Sequence, residues 1–243
     1  MAENTSKNAI VTGASSGIGA ATVRQLRTDD WNVIAVARRE DRLAHLAQDT
    51  GAIAFAADIT ADDDVARLHA FTADTFAQLG GLDTLINIAG GARGVDTVAN
   101  AGLEDWEWMY QVNVLGTVKV LKAFLPDLRA HGFGTVLNLT STAAHITYEG
   151  GAGYSAAKFG QHALTNALRL EEAENNLRVI EVAPEWWPRR SSPSTVSVAI
   201  RTRLTRFIKE WRSHSRRRMW QAWWVTPSGF PITSIWTRSC SAP

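Results

Sequence analysis

Six short apolar runs, at residues 9–12, 33–37, 53–56, 84–87, 135–139 and 178–182, recur up to Pro184, and the stretches between them space their apolar residues as helices do. Parallel strands cannot be joined by tight turns, so this strand–helix rhythm builds a parallel sheet with helices on both faces. The expected fold class is α/β, a doubly wound parallel sheet whose strands are covered on both faces. Helices are expected at residues 17–27, 39–48, 62–78, 103–130 and 154–174. Asp62 stands where an N-cap belongs, and Pro126, lacking an N–H, is expected to kink or break the fourth helix. At 243 residues and 45 % hydrophobic, the chain can bury one large core, so a single domain is expected.

Composition changes abruptly after Pro184. Residues 185–243 hold 11 Lys+Arg against 2 Asp+Glu, leaving 14 basic against 22 acidic residues for 1–184. Seven of the ten tryptophans lie in the same tail. The chain divides accordingly into a nucleotide-binding unit, 1–184, and an atypical basic, Trp-rich tail, 185–243. The start of the chain is short and polar, and no stretch approaches the roughly 20 apolar residues of a membrane span, so a cytoplasmic protein with no membrane partner is expected. A lone cysteine, Cys240, excludes an intrachain disulfide or a cysteine metal cluster, and no metal site is expected.

The first apolar run leads into Thr12-Gly13-Ala14-Ser15-Ser16-Gly17-Ile18-Gly19. Glycines here permit a tight turn and let backbone N–H groups approach an anion at the start of the next helix, which makes a phosphate cradle. After the second run stands Ala37-Arg38-Arg39, where an NAD-preferring domain carries an acidic residue for the ribose 2′-OH. Guanidinium groups grip a 2′-phosphate instead, with Ser15 as an extra donor, so NADP is expected ahead of NAD. The bland alternative makes both arginines a solvated helix start. Asp58, in Asp58-Ile59-Thr60, is placed to meet an adenine amino group or merely to cap a turn.

Tyr154-Ser155-Ala156-Ala157-Lys158 puts a phenol and an ammonium on one helix face. A neighbouring cation favours phenolate and brings the group into range for acid–base work. Thirteen residues earlier, at the end of an apolar run, Ser141 can orient a carbonyl oxygen toward that phenol. Asn113, in the apolar segment Val112-Asn113-Val114, must find partners or lie at a site; a structural hydrogen bond is the plainer reading. His145 is expected to line the pocket or lie on the surface. Arg93 can pair a substrate carboxylate or be a solvent-exposed loop arginine.

Together these motifs make residues 8–184 resemble the short-chain dehydrogenase/reductase family, whose sheet is Rossmann-like. The TGxxxGxG spacing at Thr12–Gly19 is that family's, and Asn87-Ile88-Ala89-Gly90 is similar to its Asn-Asn-Ala-Gly, with Ile88 departing from the second Asn. The resemblance implies that Tyr154 is the acid/base, that Lys158 lowers its pKa and holds the nicotinamide ribose, that Ser141 positions substrate and that Asn113 orders a proton-relay water. Cofactor contacts are implied for Gly13, Ser15, Ser16, Gly17, Ile18, Gly19, Arg38, Arg39, Asp58, Ile59, Asn87, Ala89, Gly90, Tyr154, Lys158 and Pro184. The implied reaction is reversible hydride transfer between a nicotinamide and an alcohol or ketone. Tyr148-Glu149-Gly150-Gly151 and the 102–116 segment resemble NADP-dependent 3-hydroxy acid (serine-type) dehydrogenases. Homo-oligomers through the 103–130 and 154–174 helices are the family's habit.

After Pro184 the family expects a glycine, a nicotinamide-side loop, lid helices and a last strand, whereas this chain continues Glu185-Trp186-Trp187-Pro188-Arg189-Arg190. Restoring one base after the proline codon permits Gly-Val-Val-Ala-Thr-Glu-Glu-Phe, so a frameshifted tail is the expectation. Taken as written, the tail makes a degenerate, noncatalytic nucleotide-binding protein the alternative function. Arg216-Arg217-Arg218 among tryptophans could bind nucleic acid, but the tail lacks an amphipathic period and nucleic acid is the lesser expectation.

Overall fold

The computed structural model describes residues 7–184. The expectations placed on the tail, on the loop and lid after Pro184 and on Cys240 lie outside the described residues. Six parallel strands, β1 (Asn8–Thr12), β2 (Asn32–Ala37), β3 (Ile53–Ala56), β4 (Thr84–Asn87), β5 (Thr135–Leu139) and β6 (Arg178–Val182), form one sheet in the order β3-β2-β1-β4-β5-β6. Six α-helices connect them: α1 (Gly17–Thr28), α2 (Glu40–Thr50), α3 (Asp62–Phe76), α4 (Leu103–Tyr110), α5 (Gly116–His131) and α6 (Ala152–Glu171). The strand order reverses at β1, so the crevice beyond the C-terminal ends of β1 and β4 is where such a sheet binds ligands.

Side chains of a strand alternate between faces, and β1 shows the consequence directly. Ile10 joins Ile34, Val36, Leu85 and Val136 in one core layer with Leu68 and Phe76 of α3 and Phe124 and Leu128 of α5. Ala9 and Val11 join Val33, Ala35, Ile86 and Leu137 in the opposite layer with Val23 and Leu26 of α1 and Leu43 and Leu46 of α2. The central strands are covered on both faces as expected. β3 is not: as an edge strand it leaves Ile53 and Ala54 exposed.

Three local expectations are corrected. Ala61, not Asp62, is the N-cap of α3; Asp62 is its first residue and pairs with Lys119 at 2.9 Å. Asp64 reaches back instead, accepting from the Asp58 N–H at 2.7 Å, and this bond with that from Arg67 holds its carboxyl below the usual range. Pro126 does not break its helix. α5 runs through it, because buried Val120, Leu121, Phe124 and Leu128 fix the helix on either side and outweigh the roughly 3 kcal/mol that an interior proline costs. The expected 103–130 helix is interrupted earlier, by a π-helical stretch at Gln111–Leu115 that carries Asn113. Such bulges in helices frequently mark functional positions.

Candidate active site

The glycine-rich turn joins β1 to α1. Gly13 has φ +70°, and a Cβ there would sit 2.7 Å from the Ala89 nitrogen; a Cβ on Gly19 would sit 2.2 Å from the Gly13 carbonyl oxygen. Both must therefore be glycine for the turn to close on itself and on the segment after β4. Thr12 clamps the same two segments, its Oγ1 accepting from the N–H groups of Ile88 (3.1 Å) and Ala89 (3.2 Å). Gly17, at φ +53°, begins α1 with nothing within 4 Å of its Cβ position, so the helix N-terminus faces open space. Ile18 is half-buried behind it, its carbonyl accepting from Thr22 Oγ1 at 2.9 Å. The turn thus brings glycine backbone, with open space beside Gly17, to the start of a helix, where unpaired N–H groups favour a phosphate.

Of the two arginines after β2, Arg39 reaches this turn. Its Nη2 donates to Ser15 Oγ (2.8 Å) and Ser16 Oγ (2.7 Å), and its Nε donates to Ser15 Oγ (3.1 Å). Arg38 lies across from Asp58, Nη1 to Oδ2 at 3.6 Å. The other Asp58 oxygen accepts from the backbone N–H of Thr60 (2.9 Å) and from its hydroxyl (2.7 Å), the turn-capping arrangement. Ile59 sends its side chain into the core. Asn87 braces β4 against β5, donating to Asn138 Oδ1 at 2.9 Å, while its own Oδ1 is buried without a partner.

At the ends of β5 and α6 the remaining predicted groups come together. Ser141 caps the start of the turn after β5, accepting from the Ala143 N–H at 3.2 Å, and its hydroxyl lies near enough to the Tyr154 phenol to favour the phenolate. Tyr154 stands in the first turn of α6, and one turn later Lys158 Nζ lies 5.8 Å from its ring centre. Lys158 is 4 % exposed and donates to the Leu139 carbonyl (3.0 Å) and Gln161 Oε1 (2.7 Å). Pro184 accepts from the Thr142 N–H at 3.0 Å, stitching the end of β6 to the Ser141 turn. Asn113 is fully buried and engaged: Nδ2 donates to the carbonyls of Met109 (2.7 Å) and Gly91 (2.8 Å), and Oδ1 accepts from the Gly91 N–H (3.2 Å). Its side chain thus pins the turn in which a Cβ on Gly90 would lie 2.5 Å from Asn113 Oδ1 and 3.5 Å from Lys158 Nζ.

The electrostatics differ from the expectation that Lys158 depresses the phenol. Burial raises Tyr154 above the ordinary tyrosine value, outweighing the Ser141 hydrogen bond. Burial also lowers Lys158 to about 7, against the opposing pull of Glu181. A lysine that loses its proton near neutrality cannot hold a phenolate across the whole physiological range, so the pair is poised by its surroundings rather than by proximity alone.

Two members of this network escape the sequence motifs. Gln161, also fully buried, accepts from Lys158 and donates to Thr117 Oγ1 at 3.4 Å, and that hydroxyl donates to the Asn113 carbonyl at 2.9 Å. The signal available was a glutamine at i+3 from Lys158 on the face of α6 that faces the core. A groove of about 880 Å³ runs beside this cluster, lined by Arg38, Asp58, Trp106, Tyr110 and Ala157 but by neither Tyr154 nor Lys158, so side-chain geometry rather than concavity locates the site.

A family model for short chain dehydrogenases matches residues 7–187. The chain belongs to the short-chain dehydrogenase family. As a member it is an oxidoreductase acting on CH–OH groups. The chain is 48 % identical over 176 residues to an uncharacterized oxidoreductase of Mycobacterium tuberculosis, covering 72 % of this chain and 67 % of that one. It is 35 % identical over 179 residues to a serine 3-dehydrogenase of Agrobacterium fabrum, covering 72 % and 70 %. Among solved structures it resembles a closed form of serine dehydrogenase complexed with NADP+, with a TM-score of 0.69, 30 % identity and coverage of 73 % and 71 %.

Proposed function

We propose that this short-chain dehydrogenase uses NADP to interconvert an alcohol and a ketone, that its substrate is a 3-hydroxy acid, and that Ser141, Tyr154, Lys158 and Asn113 form its catalytic group. The observation that carries the reading is the convergence of Ser141 and the Tyr154 phenol beside buried Lys158, at the C-terminal edge of the sheet. NADP, when bound, supplies the hydride acceptor for oxidation and the hydride donor for reduction. In reduction, Tyr154 gives its phenolic proton to the substrate oxygen while the carbonyl carbon gains the hydride. In oxidation, Tyr154 receives the hydroxyl proton as the carbon loses hydride. Ser141 holds the reacting oxygen at the phenol, and Lys158 steadies the ring's charge and grips the cofactor ribose.

The residues present fit the cofactor. Gly13, Gly17, Ile18 and Gly19 offer the phosphate cradle, and Arg39 with Ser15 and Ser16 offers positive charge and hydroxyls for a 2′-phosphate, with Arg38 beside them. Among the described residues no carboxylate pairs with Arg39, whereas NAD-preferring domains need an acid nearby. Asp58 and Ile59 are assigned to the adenine end, Asn87, Ala89 and Gly90 to the wall between adenine and nicotinamide, and Pro184 to the nicotinamide side. For the substrate, Arg93 is exposed, and its guanidinium stacks 3.9 Å from the centre of the Trp108 ring. Trp108 abuts Gly91, next to the Gly90 that borders Lys158, so Arg93 is held at the mouth of the site where a carboxylate would meet it. The likeness to serine dehydrogenases supports the substrate reading, and the one solved with NADP+ supports the cofactor reading.

The proposal includes a division of the chain at Pro184, supported by a family match that ends at residue 187, and a homo-oligomer formed through α4, α5 and α6, where Tyr110 and Phe159 are exposed. Fluorescence titration of the full chain with NADPH and NADH, repeated for Arg39→Ala and followed by turnover on 3-hydroxy acids and ketones, tests it. Tighter binding of NADPH, lost in Arg39→Ala, with oxidation of 3-hydroxy acids is the expected result. Preference for NADH, or turnover indifferent to the carboxylate, overturns the cofactor or substrate assignment. Binding without any turnover selects the noncatalytic alternative.

A further inference from the structure

Beyond Lys158, a second polar cluster joins three elements and touches the proposed reaction only through the pull of Glu181 on the Lys158 charge, which Arg169 also feels. Glu181 lies within β6 with its carboxylate mostly buried. The groups that meet it are the Thr140 hydroxyl, donating to Oε1 at 2.7 Å, His162 Nδ1 of α6, at 2.8 Å from Oε2 and 3.0 Å from Oε1, and His145 Nε2, at 3.6 Å from Oε1. The two imidazoles stand edge to face with centres 4.4 Å apart. One donor atom from each of the three side chains lies within 4.8 Å of the others.

We propose that His145, His162 and Glu181 bind one divalent cation of the zinc class. A tetrahedral zinc ion has nitrogen and oxygen ligands at about 2.0–2.2 Å, which places neighbouring ligands roughly 3.3–3.5 Å apart. The His145 Nε2–Glu181 Oε1 separation of 3.6 Å closes slightly to reach that spacing, and His162 Nδ1, 3.0 Å from the same oxygen, opens slightly to reach it. His145 closes the third side, and its side chain is 34 % exposed, which leaves it free to swing. Two imidazoles with one carboxylate favour zinc, cobalt or nickel over magnesium or calcium, which prefer all-oxygen shells. Three protein ligands leave a fourth position for water.

The surrounding groups fix the side chains of Glu181 and His162 in place. Thr140 holds the carboxylate, and Asn166 Nδ2 lies 2.9 Å from the far nitrogen of His162 while Arg169 donates to Asn166 Oδ1. In this arrangement His162 carries its proton on Nδ1 and donates it to Glu181. Cation binding at Nδ1 moves that proton to Nε2, where the Asn166 amide accepts it only by turning its oxygen away from Arg169, so Asn166 favours the metal-free tautomer. Bound metal would tie together the turn after β5, helix α6 and strand β6.

The test uses the full chain, stripped with chelator. Zinc is titrated against a chromophoric competitor, and cobalt is added to read its visible ligand-field bands. Wild type is expected to bind one equivalent that His145→Ala and His162→Gln each weaken at least tenfold, with cobalt bands of tetrahedral intensity lost in both. Circular dichroism of the metal-free variants checks folding, and His145→Ala, at a partly exposed position, carries the test if His162→Gln fails to fold. Zinc binding of the same affinity and stoichiometry in His145→Ala, or no cobalt bands in wild type, overturns the proposal.

Discussion

Replacing Gln161 by leucine should move the pH at which this dehydrogenase loses reductase activity. Gln161 is fully buried, accepts from Lys158 Nζ at 2.7 Å and has no role with substrate of its own. A hydrogen bond to a charged group is worth about 1.5–3 kcal/mol, and 1.36 kcal/mol corresponds to one pH unit, so its loss disfavours the ammonium by about one to two units. Lys158 already stands at about 7 because burial opposes its charge. On the proposed mechanism Tyr154 must be protonated in the reducing direction, which its raised pKa secures, and Lys158 must be charged, so kcat/KM is expected to fall as pH rises through the lysine value. In wild type half of Lys158 is protonated at pH 7; in Gln161→Leu roughly one tenth to one hundredth is, a five- to fifty-fold fall in kcat/KM at that pH. The assay is the pH profile of kcat/KM for NADPH-dependent ketone reduction, which reports the free enzyme. Gln161→Glu, which adds a negative partner, should move the falling limb upward. A Gln161→Leu profile superimposable on wild type, in a protein with unchanged circular dichroism, would refute the reasoning.

Three further outcomes follow from particular contacts. Gly19→Ala puts a methyl 2.2 Å from the Gly13 carbonyl oxygen and should abolish cofactor binding in a dinucleotide titration, with a lowered Tm if the turn cannot shift. Phe124→Ala, at a fully buried position between sheet and helices, should cost about 3–5 kcal/mol in urea unfolding. Lys158→Met removes a buried ammonium: because the folded-state pKa lies below the unfolded one, native Lys158 costs stability below pH 7 and progressively less between about 7 and 10.5. The variant should therefore gain stability over wild type at pH 6 and lose that advantage by pH 10 in parallel denaturation curves.

Much of this architecture is readable in the sequence, because strands buried on both faces show as short continuous apolar runs and helices as a 3.6-residue period. The six strands follow from that, whereas the glycine turn and the placing of Ser141, Tyr154 and Lys158 follow from motifs set against those elements. What was not readable depends on neighbours distant in sequence. The π-helical stretch at Gln111–Leu115 leaves the helical pattern nearly intact, and its purpose shows only when Asn113 is seen gripping Gly91. The charges of Arg38 and Arg39 were plain, but which one reaches Ser15 and Ser16 is a matter of side-chain direction. The pull of a cation on the Tyr154 phenol was inferred from spacing alone, and burial of both groups reversed it. His145, His162 and Glu181 have no metal-ligand spacing in sequence, and β5, α6 and β6 bring them together.

The central claim is that Tyr154 moves the proton while NADP moves the hydride. Single-turnover reduction with enzyme-bound NADPH, comparing wild type with Tyr154→Phe, tests it most directly. Removing the phenolic hydroxyl leaves the phosphate cradle and Arg39 untouched, so the account predicts unchanged NADPH affinity and a chemical step slowed by about 10²–10⁴-fold. A Tyr154→Phe variant that binds NADPH and reduces ketone at the wild-type rate would contradict it.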